Sequence, residues 1–404
     1  MKRKTWVVCS SVMALLHSSV VANGQSSAPS QTISGAPDPA RTADSVLAWN
    51  PLRHEPYPDV LEVRVGYLPA THDALLFVAL EEKLFDAAGV RVVPMLFKNS
   101  PSALNALEAG DIDVAIPGIA APIYRIAAGT DLRIIGGEAW FSAAIVAPSS
   151  HPVSPTASPT DILRSFKGKR IATITQSTGD AVLRSALERN GLGADVELVV
   201  YETPDKAKTA LKAKDVDAAL LWSPHMSLLE QESSLAFRTV LWTSQLQKHP
   251  CCRQIATAAT VSGKTEALVR YLSGIILAKR YMLDPQNKQR VLAAVSQYVS
   301  NPPEILEREL FQLVEPVKHR WTELSPNVSP SEVNTYVEMM KDARLVGDDA
   351  LTRVKDRTLT SLLAEAYRRV FTSLSKDDAE SCANAGLDLD ARLSSLQPVL
   401  RTKN

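Results

Sequence analysis

The sequence predicts an α/β protein built as two similar lobes with a cleft between them, and three observations predict it. One grammar, an apolar strand, a polar turn opening a helix, a second strand, another helix and a short strand ending in a turn, is written twice, from Leu61 to Gly118 and from Lys169 to Pro224. In both copies the strands deliver polar turns or helix starts that can share one edge of a parallel sheet. The stretch from Val60 to about Arg320 is long enough for two lobes of ordinary size.

The chain opens with Lys2-Arg3-Lys4, a mainly apolar run from Trp6 to Val21, and small residues at Val20 and Ala22. This reads as a secretory signal cleaved near Ala22. The apolar run is broken by serines and His17 and is shorter than the roughly 20 residues a membrane span needs. Residues 23–58 are rich in Ser, Pro, Ala, Gly and Gln, without apolar periodicity, and read as a disordered leader.

In the first copy Leu61, Val63 and Val65 alternate with Glu62, Arg64 and Gly66, which predicts a strand ended by Tyr67-Leu68-Pro69. Asp73 or Thr71 is placed to cap the helix that carries Leu75 to Phe85. A second strand runs from Val90 to Phe97, and Ser100 with Pro101 behind it marks the next helix start. Asp113 to Ile116 is a third strand closing on Pro117-Gly118-Ile119, and Leu132 to Gly136 is a fourth, reaching Gly137-Glu138.

The second copy repeats this. Arg170 to Thr175 is a strand, and Gln176-Ser177-Thr178-Gly179-Asp180 opens a helix whose free N–H groups and hydroxyls form an anion pocket. Ala218 to Leu221 delivers Trp222-Ser223-Pro224-His225 to the same edge. Taken singly, each Ser or Thr is an ordinary helix cap and Trp222 an ordinary core residue. Their recurrence at equivalent places makes the argument.

Lobe one is expected over 60–148 plus 255–374, including helices at Glu266–Met282, Asn287–Val299, Glu304–Val314, Val333–Ala343 and Leu351–Leu374 packed on it. Lobe two is expected over 160–250, with two crossings, and 375–404 as a polar tail whose Cys382 is incidental.

With 44 basic and 44 acidic residues the chain has no net charge, and no basic run exists to bind nucleic acid. Four cysteines, one inside the signal, make no disulfide framework. No Ser-His-Asp order, HExxH, Walker loop or CxxC supplies chemistry, so no enzyme and no cofactor are expected.

The order VRVGYLP, EEKLF, SALNALEAGDIDVAIPG, LRIIGG, KGKRIATITQSTGDAVLRSALERNGL and KAKTALKAKDVDAALLWSP resembles the periplasmic solute-binding proteins of ABC importers for nitrate, sulfonate and taurine, including the branch similar to thiamine-pyrimidine-precursor proteins. The resemblance covers about Leu61 to Leu310 and implies a two-lobed, type II periplasmic-binding fold. It also implies closure on ligand, delivery to a permease with its ATPase, and a periplasmic, monomeric protein. Carried over by position, the ligand contacts fall on Tyr67, Leu68, Pro69, Ser100, Gly118, Ile119, Ser177, Thr178, Trp222 and Ser223.

His72, Glu138, Cys251, Cys252 and Arg253 are read as cleft or hinge residues. The segment His249-Pro250-Cys251-Cys252-Arg253 lies where the chain returns to lobe one. Adjacent cysteines can close a strained disulfide in an oxidising compartment, and Arg253 is the basic residue there able to meet an anion. One His and two adjacent Cys lack the usual metal spacing, so no metal site is expected.

Helix starts at Ser100 and Ser177 favour an anionic group, while Tyr67 and Trp222 favour an apolar or aromatic body. An organic sulfonate or carboxylate satisfies both; nitrate fits less well because few fixed charges face the cleft, and a neutral heteroaromatic precursor stays open. Two other functions also stay open: a sensory binding protein for a membrane receptor, and an enzyme of the same fold related to pyrimidine-precursor synthesis.

Overall fold

The computed structural model describes residues 59–232, 237–314, 317–372 and 374–386. The expected signal peptide, the leader and the tail beyond residue 386 lie outside the described residues. Two five-stranded sheets organise the rest.

In the first sheet Val90–Leu96, Leu61–Tyr67 and Val114–Ala115 run parallel. The returning strand Arg253–Thr257 inserts antiparallel between Val114–Ala115 and Leu132–Gly137. In the second sheet Glu197–Tyr201, Arg170–Ile174 and Ala218–Trp222 are parallel. Ala143–Pro148 inserts antiparallel between Ala218–Trp222 and Phe237–Trp242. Each sheet therefore receives its antiparallel strand just after the chain arrives from the other sheet. Ala143–Pro148, placed in lobe one by its sequence position, is hydrogen bonded in lobe two, because its run of small and β-branched residues fits a strand covered on both faces.

Beside the first sheet, the Ala74–Glu81 helix is apolar all round and buried from Ala74 to Ala79. It packs against Thr265–Met282 and Lys288–Ser296, and each fully buried Leu or Phe there contributes about 1.5–3 kcal/mol. Phe85 lies so close to Gly274 of the Thr265–Met282 helix that a Cβ there would fall 2.3 Å from its Cδ1. Glycine in the middle of this helix is thus a packing requirement.

The C-terminal helices are split between the lobes. Ser361–Val370 lies on Thr265–Met282, joined by Arg369 donating to both Glu266 oxygens at 2.7 and 2.9 Å. Pro330–Asp342, expected on lobe one, also packs against the lobe-two helix Thr178–Arg189, where Tyr336 Oη donates to the Thr178 carbonyl at 2.9 Å. Within the expected polar tail, Lys376–Asn384 is a helix that buries Ala379, Cys382 and Ala383.

A further excursion adds to the two expected crossings. After the Pro303–Phe311 helix, Leu313–Val314 pairs with His319–Arg320, and Val314 and Trp321 join the lobe-two core. Trp321 meets Trp242 edge-on at 5.0 Å, and Ser244 Oγ and His319 Nε2 are 2.6 Å apart. Glu323–Leu324 then pairs with Ala139–Trp140 in the first crossing. Apolar side chains too far along the sequence to read as part of lobe two complete its surface. Among the described residues no helix is long and apolar enough to cross a membrane.

Candidate functional site

The carboxyl ends of both parallel sets face each other, the place where open α/β sheets hold ligands. Asn99, rather than Ser100, caps the Ser100–Ala109 helix, its Oδ1 accepting from Ser102 N at 2.9 Å. That leaves Ser100 Oγ to accept from Gly118 N at 3.1 Å, which ties two cleft turns of lobe one together. Opposite them, Ser177 Oγ accepts from Asp180 N at 3.2 Å and caps the Thr178–Arg189 helix. A Cβ on Gly118 would fall 2.8 Å from Thr178 Oγ1, so the lobes meet here in a closed arrangement.

Between them lies an inner chamber lined by Leu68, His72, Ser100, Gly118, Ser142, Ala143, Ser177, Thr178, Gly179, Trp222, Cys251 and Cys252. Its volume open to water is about 30 Å³, room for about two waters. Among the described residues no lysine or arginine lines it. The helix-start residues Ser100, Ser177, Thr178 and Gly179 line it, and helix N-termini carry a partial positive charge. Thr178 Oγ1 is buried inside the chamber beside the Cys251 thiol, whose pKa it helps to lower.

Leu68 and Trp222 separate this chamber from an outer cavity of about 440 Å³, whose walls include Pro69, Leu96, Phe97 and Pro204. Across the cleft, Lys98 of lobe one pairs with Glu202 of lobe two, and Lys206 reaches the same carboxylate at 2.9 Å. These two ammonium groups, Lys98 foremost, hold Glu202 at a pKa of about 2. A second link is buried: Glu309 accepts from Thr71 Oγ1 of lobe one at 2.6 Å and from Ser227 Oγ of lobe two. Burial pushes the Glu309 carboxyl up to about 7, against the pull of the Ser227 and Thr71 hydroxyls.

Of the ligand contacts expected from the sequence, Leu68, Ser100, Gly118, Ser177, Thr178 and Trp222 line the chamber, and Pro69 lines the outer cavity. Tyr67 does not: strand alternation turns it away, into an aromatic group with Phe77 at 5.3 Å and Tyr298 at 5.9 Å. Ile119 is buried, with its N–H on the Cys251 carbonyl at 2.7 Å. Ser223 is buried beneath the chamber wall, its N–H on the Ser142 carbonyl at 3.1 Å.

The cleft and hinge residues divide similarly. His72, Cys251 and Cys252 line the chamber. Glu138 instead takes the capping role expected of Asp73 or Thr71, accepting from Leu75 N at 3.0 Å and Leu76 N at 3.3 Å, with Gln254 on its other oxygen. Burial still raises its pKa to about 8 against those donors. Arg253 is fully buried, donates to the carbonyls of Ala139 and Cys252, and stacks 4.7 Å from the Trp140 ring centroid. It does not reach the chamber. Burial lowers its pKa to about 10.

Cys251 and Cys252 are thiols with their sulfurs 3.6 Å apart, and Cys251 Sγ lies 3.2 Å from Ser142 Oγ. Burial first, then the neighbouring thiol, raises the Cys252 pKa, while hydrogen bonding from Cys252, then from Ser142, lowers that of Cys251. Burial also holds the His72 imidazole neutral, at about 3.

The residues not anticipated include Ser142, Ala143 and the outer-wall group of Phe97, Lys98, Thr203 and Pro204. Thr203 caps the Pro204–Lys212 helix as Asn99 caps Ser100–Ala109 in the first copy, each with a proline in the first turn, so the repeat itself carried that signal. Ser142 and Ala143 lie in a crossing without a repeat counterpart.

A Brucella abortus protein named as a binding protein is 28% identical over 174 residues, 43% of this chain and 51% of that protein. An Escherichia coli K12 protein named for aliphatic sulfonate binding is 30% identical over 175 residues, 41% and 50% of the two chains. The chain thus spans about half the length of these curated relatives. The nitrate-binding protein NrtA of Synechocystis PCC 6803 superposes with a TM-score of 0.65 at 17% identity, covering 84% of this chain and 99% of that one. The alkanesulfonate-binding protein SsuA of Xanthomonas axonopodis pv. citri, bound to MOPS, gives 0.61 at 21% identity, covering 75% and 99%. The fold is that of the periplasmic binding proteins. Residues 57–296, which contain both sheets and every turn of the chamber, match the NMT1-like family, and the chain belongs to that family.

Proposed function

We propose that this protein is an extracytoplasmic solute-binding component of an ABC importer that captures a small organic anion, of the sulfonate or carboxylate class, between its lobes. The observation that carries the reading is the division of the cleft. A chamber with room for about two waters, facing two helix N-termini and the buried Thr178 hydroxyl, fits a charged head group. The larger, mainly apolar outer cavity behind Leu68 and Trp222 fits an organic body. Nitrate would leave the outer cavity unused.

Ligand contacts made to both lobes at once favour the closed state, which is the form a permease would receive. In this reading the protein is exported, acts as a monomer, and meets a membrane permease and its ATPase. The supports are the family and the fold of its solved neighbours.

A thermal-shift screen of the purified protein against alkyl and aryl sulfonates, aromatic carboxylates, nitrate, bicarbonate and pyrimidines tests it. A ligand at 100 times its Kd adds about 2.7 kcal/mol. The expected result is stabilisation by sulfonates or carboxylates with an apolar body, weakened in Trp222→Ala and Thr178→Ala. Stabilisation by neutral compounds alone would overturn the assignment.

A further inference from the structure

We propose that His72, Asp73 and Cys252 form a binding site for one thiophilic divalent cation of the zinc type at the floor of the inner chamber. One donor atom from each of the three lies within 4.8 Å of the others. The residues are 3%, 0% and 1% exposed.

The strongest support is what these donors lack. Neither ring nitrogen of His72 nor Asp73 Oδ1 has a hydrogen-bond partner among the described residues. Buried polar atoms are nearly always partnered, and a fully buried imidazole and a carboxylate oxygen left bare side by side need an explanation. The other Asp73 oxygen accepts from Leu68 N at 2.9 Å, which fixes the carboxylate and turns Oδ1 toward His72 Nε2, 3.6 Å away. A tetrahedral ion with bonds of about 2.0–2.3 Å holds neighbouring donors about 3.3–3.8 Å apart. The His72–Asp73 pair already has that spacing, and the Cys252 thiol lies within 4.8 Å of both.

The donor set selects the ion. One imidazole, one carboxylate and one thiolate suit a borderline cation such as Zn²⁺ over Mg²⁺ or Ca²⁺, which take oxygen. Three protein ligands leave a fourth position open. Because His72 and Cys252 both line the chamber, that position would open into the space that Thr178 also lines. An ion there, its charge balanced by the carboxylate and the thiolate, would offer an anion an open coordination position in a chamber that no lysine or arginine lines among the described residues. Only this last consequence rests on the organic-anion reading. His72-Asp73 and Cys252 are far apart in the chain, and the return strand behind Cys252 brings them together, so no local spacing could announce the site.

The protein, reduced with a phosphine and stripped with a chelator, is titrated with Co²⁺ and then Zn²⁺ in a non-coordinating buffer without sulfonate or carboxylate. The expected result is one equivalent of Co²⁺ with a thiolate-to-cobalt charge-transfer band, displaced by Zn²⁺, and one zinc per chain retained after desalting. His72→Ala and Cys252→Ser should each weaken binding at least tenfold, while Cys382→Ser leaves it unchanged. A folded wild-type protein with no such band and no retained metal would overturn the site even if a variant failed to fold. Undiminished binding in folded His72→Ala and Cys252→Ser would overturn it equally. Metal is read without any anion, so failure here leaves the anion screen to stand or fall by itself.

Discussion

Replacing Gly118 with alanine should act on lobe closure while sparing both lobes. The new methyl would sit 2.8 Å from Thr178 Oγ1, with the Thr178 nitrogen at 3.6 Å and its Cβ at 3.8 Å. Only the hydroxyl is too close. It can be relieved by parting the lobes or by turning Thr178 about χ1, which is stiff in a β-branched residue and would carry the hydroxyl out of the chamber. Overpacking of this kind costs about 1–3 kcal/mol. Since the cost falls on the closed state alone, ligand affinity should drop about 5- to 150-fold at 1.4 kcal/mol per tenfold. Calorimetric titration with ethanesulfonate, or with the best anion from the screen, measures it. The melting temperature without ligand should hold. Thr178→Ala removes the clashing atom, so the double variant should lose much less than the sum of the singles. Unchanged affinity in Gly118→Ala, or strictly additive losses, would refute a ligand chamber closed between these two residues.

Three other perturbations follow from the geometry. Glu309→Gln should flatten the pH dependence of stability. With a folded pKa of about 7 against an ordinary 4.5, the buried carboxyl keeps its proton while the unfolded one loses it, so wild-type stability falls as pH rises from 4.5 to 7. Over that span the loss is up to about 3 kcal/mol, and equal slopes in denaturation series at pH 5 and 8 would contradict it. Glu202→Gln should weaken ligand binding several-fold at low salt and not at high salt, because the Lys98 pair is exposed and screened; titrations at two ionic strengths decide. Gly274→Ala gains about 1 kcal/mol of helix propensity but drives a methyl into Phe85, at about 1–3 kcal/mol. Net destabilisation in a urea melt is expected.

What the sequence discloses here depends on range. The alternation at Leu61, Val63 and Val65 and the turn Ser177-Thr178-Gly179-Asp180 are local, and they locate both sheets and the facing helix ends. The same alternation assigns Tyr67 and Leu68 to opposite sides; the structure uses Leu68 for the chamber and Tyr67 for the packing of Phe77. Arginine is seldom buried, which makes Arg253 read as available, yet its register under Trp140 sets Nη1 on two carbonyls and the guanidinium against a ring face, with Nε and Nη2 buried and unpartnered among the described residues. Glu309 between Thr71 and Ser227, and Cys252 beside His72, join segments that no periodicity links. Such contacts are products of topology and cannot be read from neighbours in the chain.

The excursion that sets Val314 and Trp321 into lobe two has a kinetic consequence. It lies beside the crossings, where Phe141 stands 4.7 Å from His319 and 5.8 Å from His249. The chain therefore passes between the lobes four times, twice in the expected crossings and twice in the excursion, so opening has to carry more connections than a hinge of two strands does. Entry of ligand then waits on one gating motion common to all ligands. Their association rates should cluster, and what distinguishes a good ligand from a poor one is how long it stays.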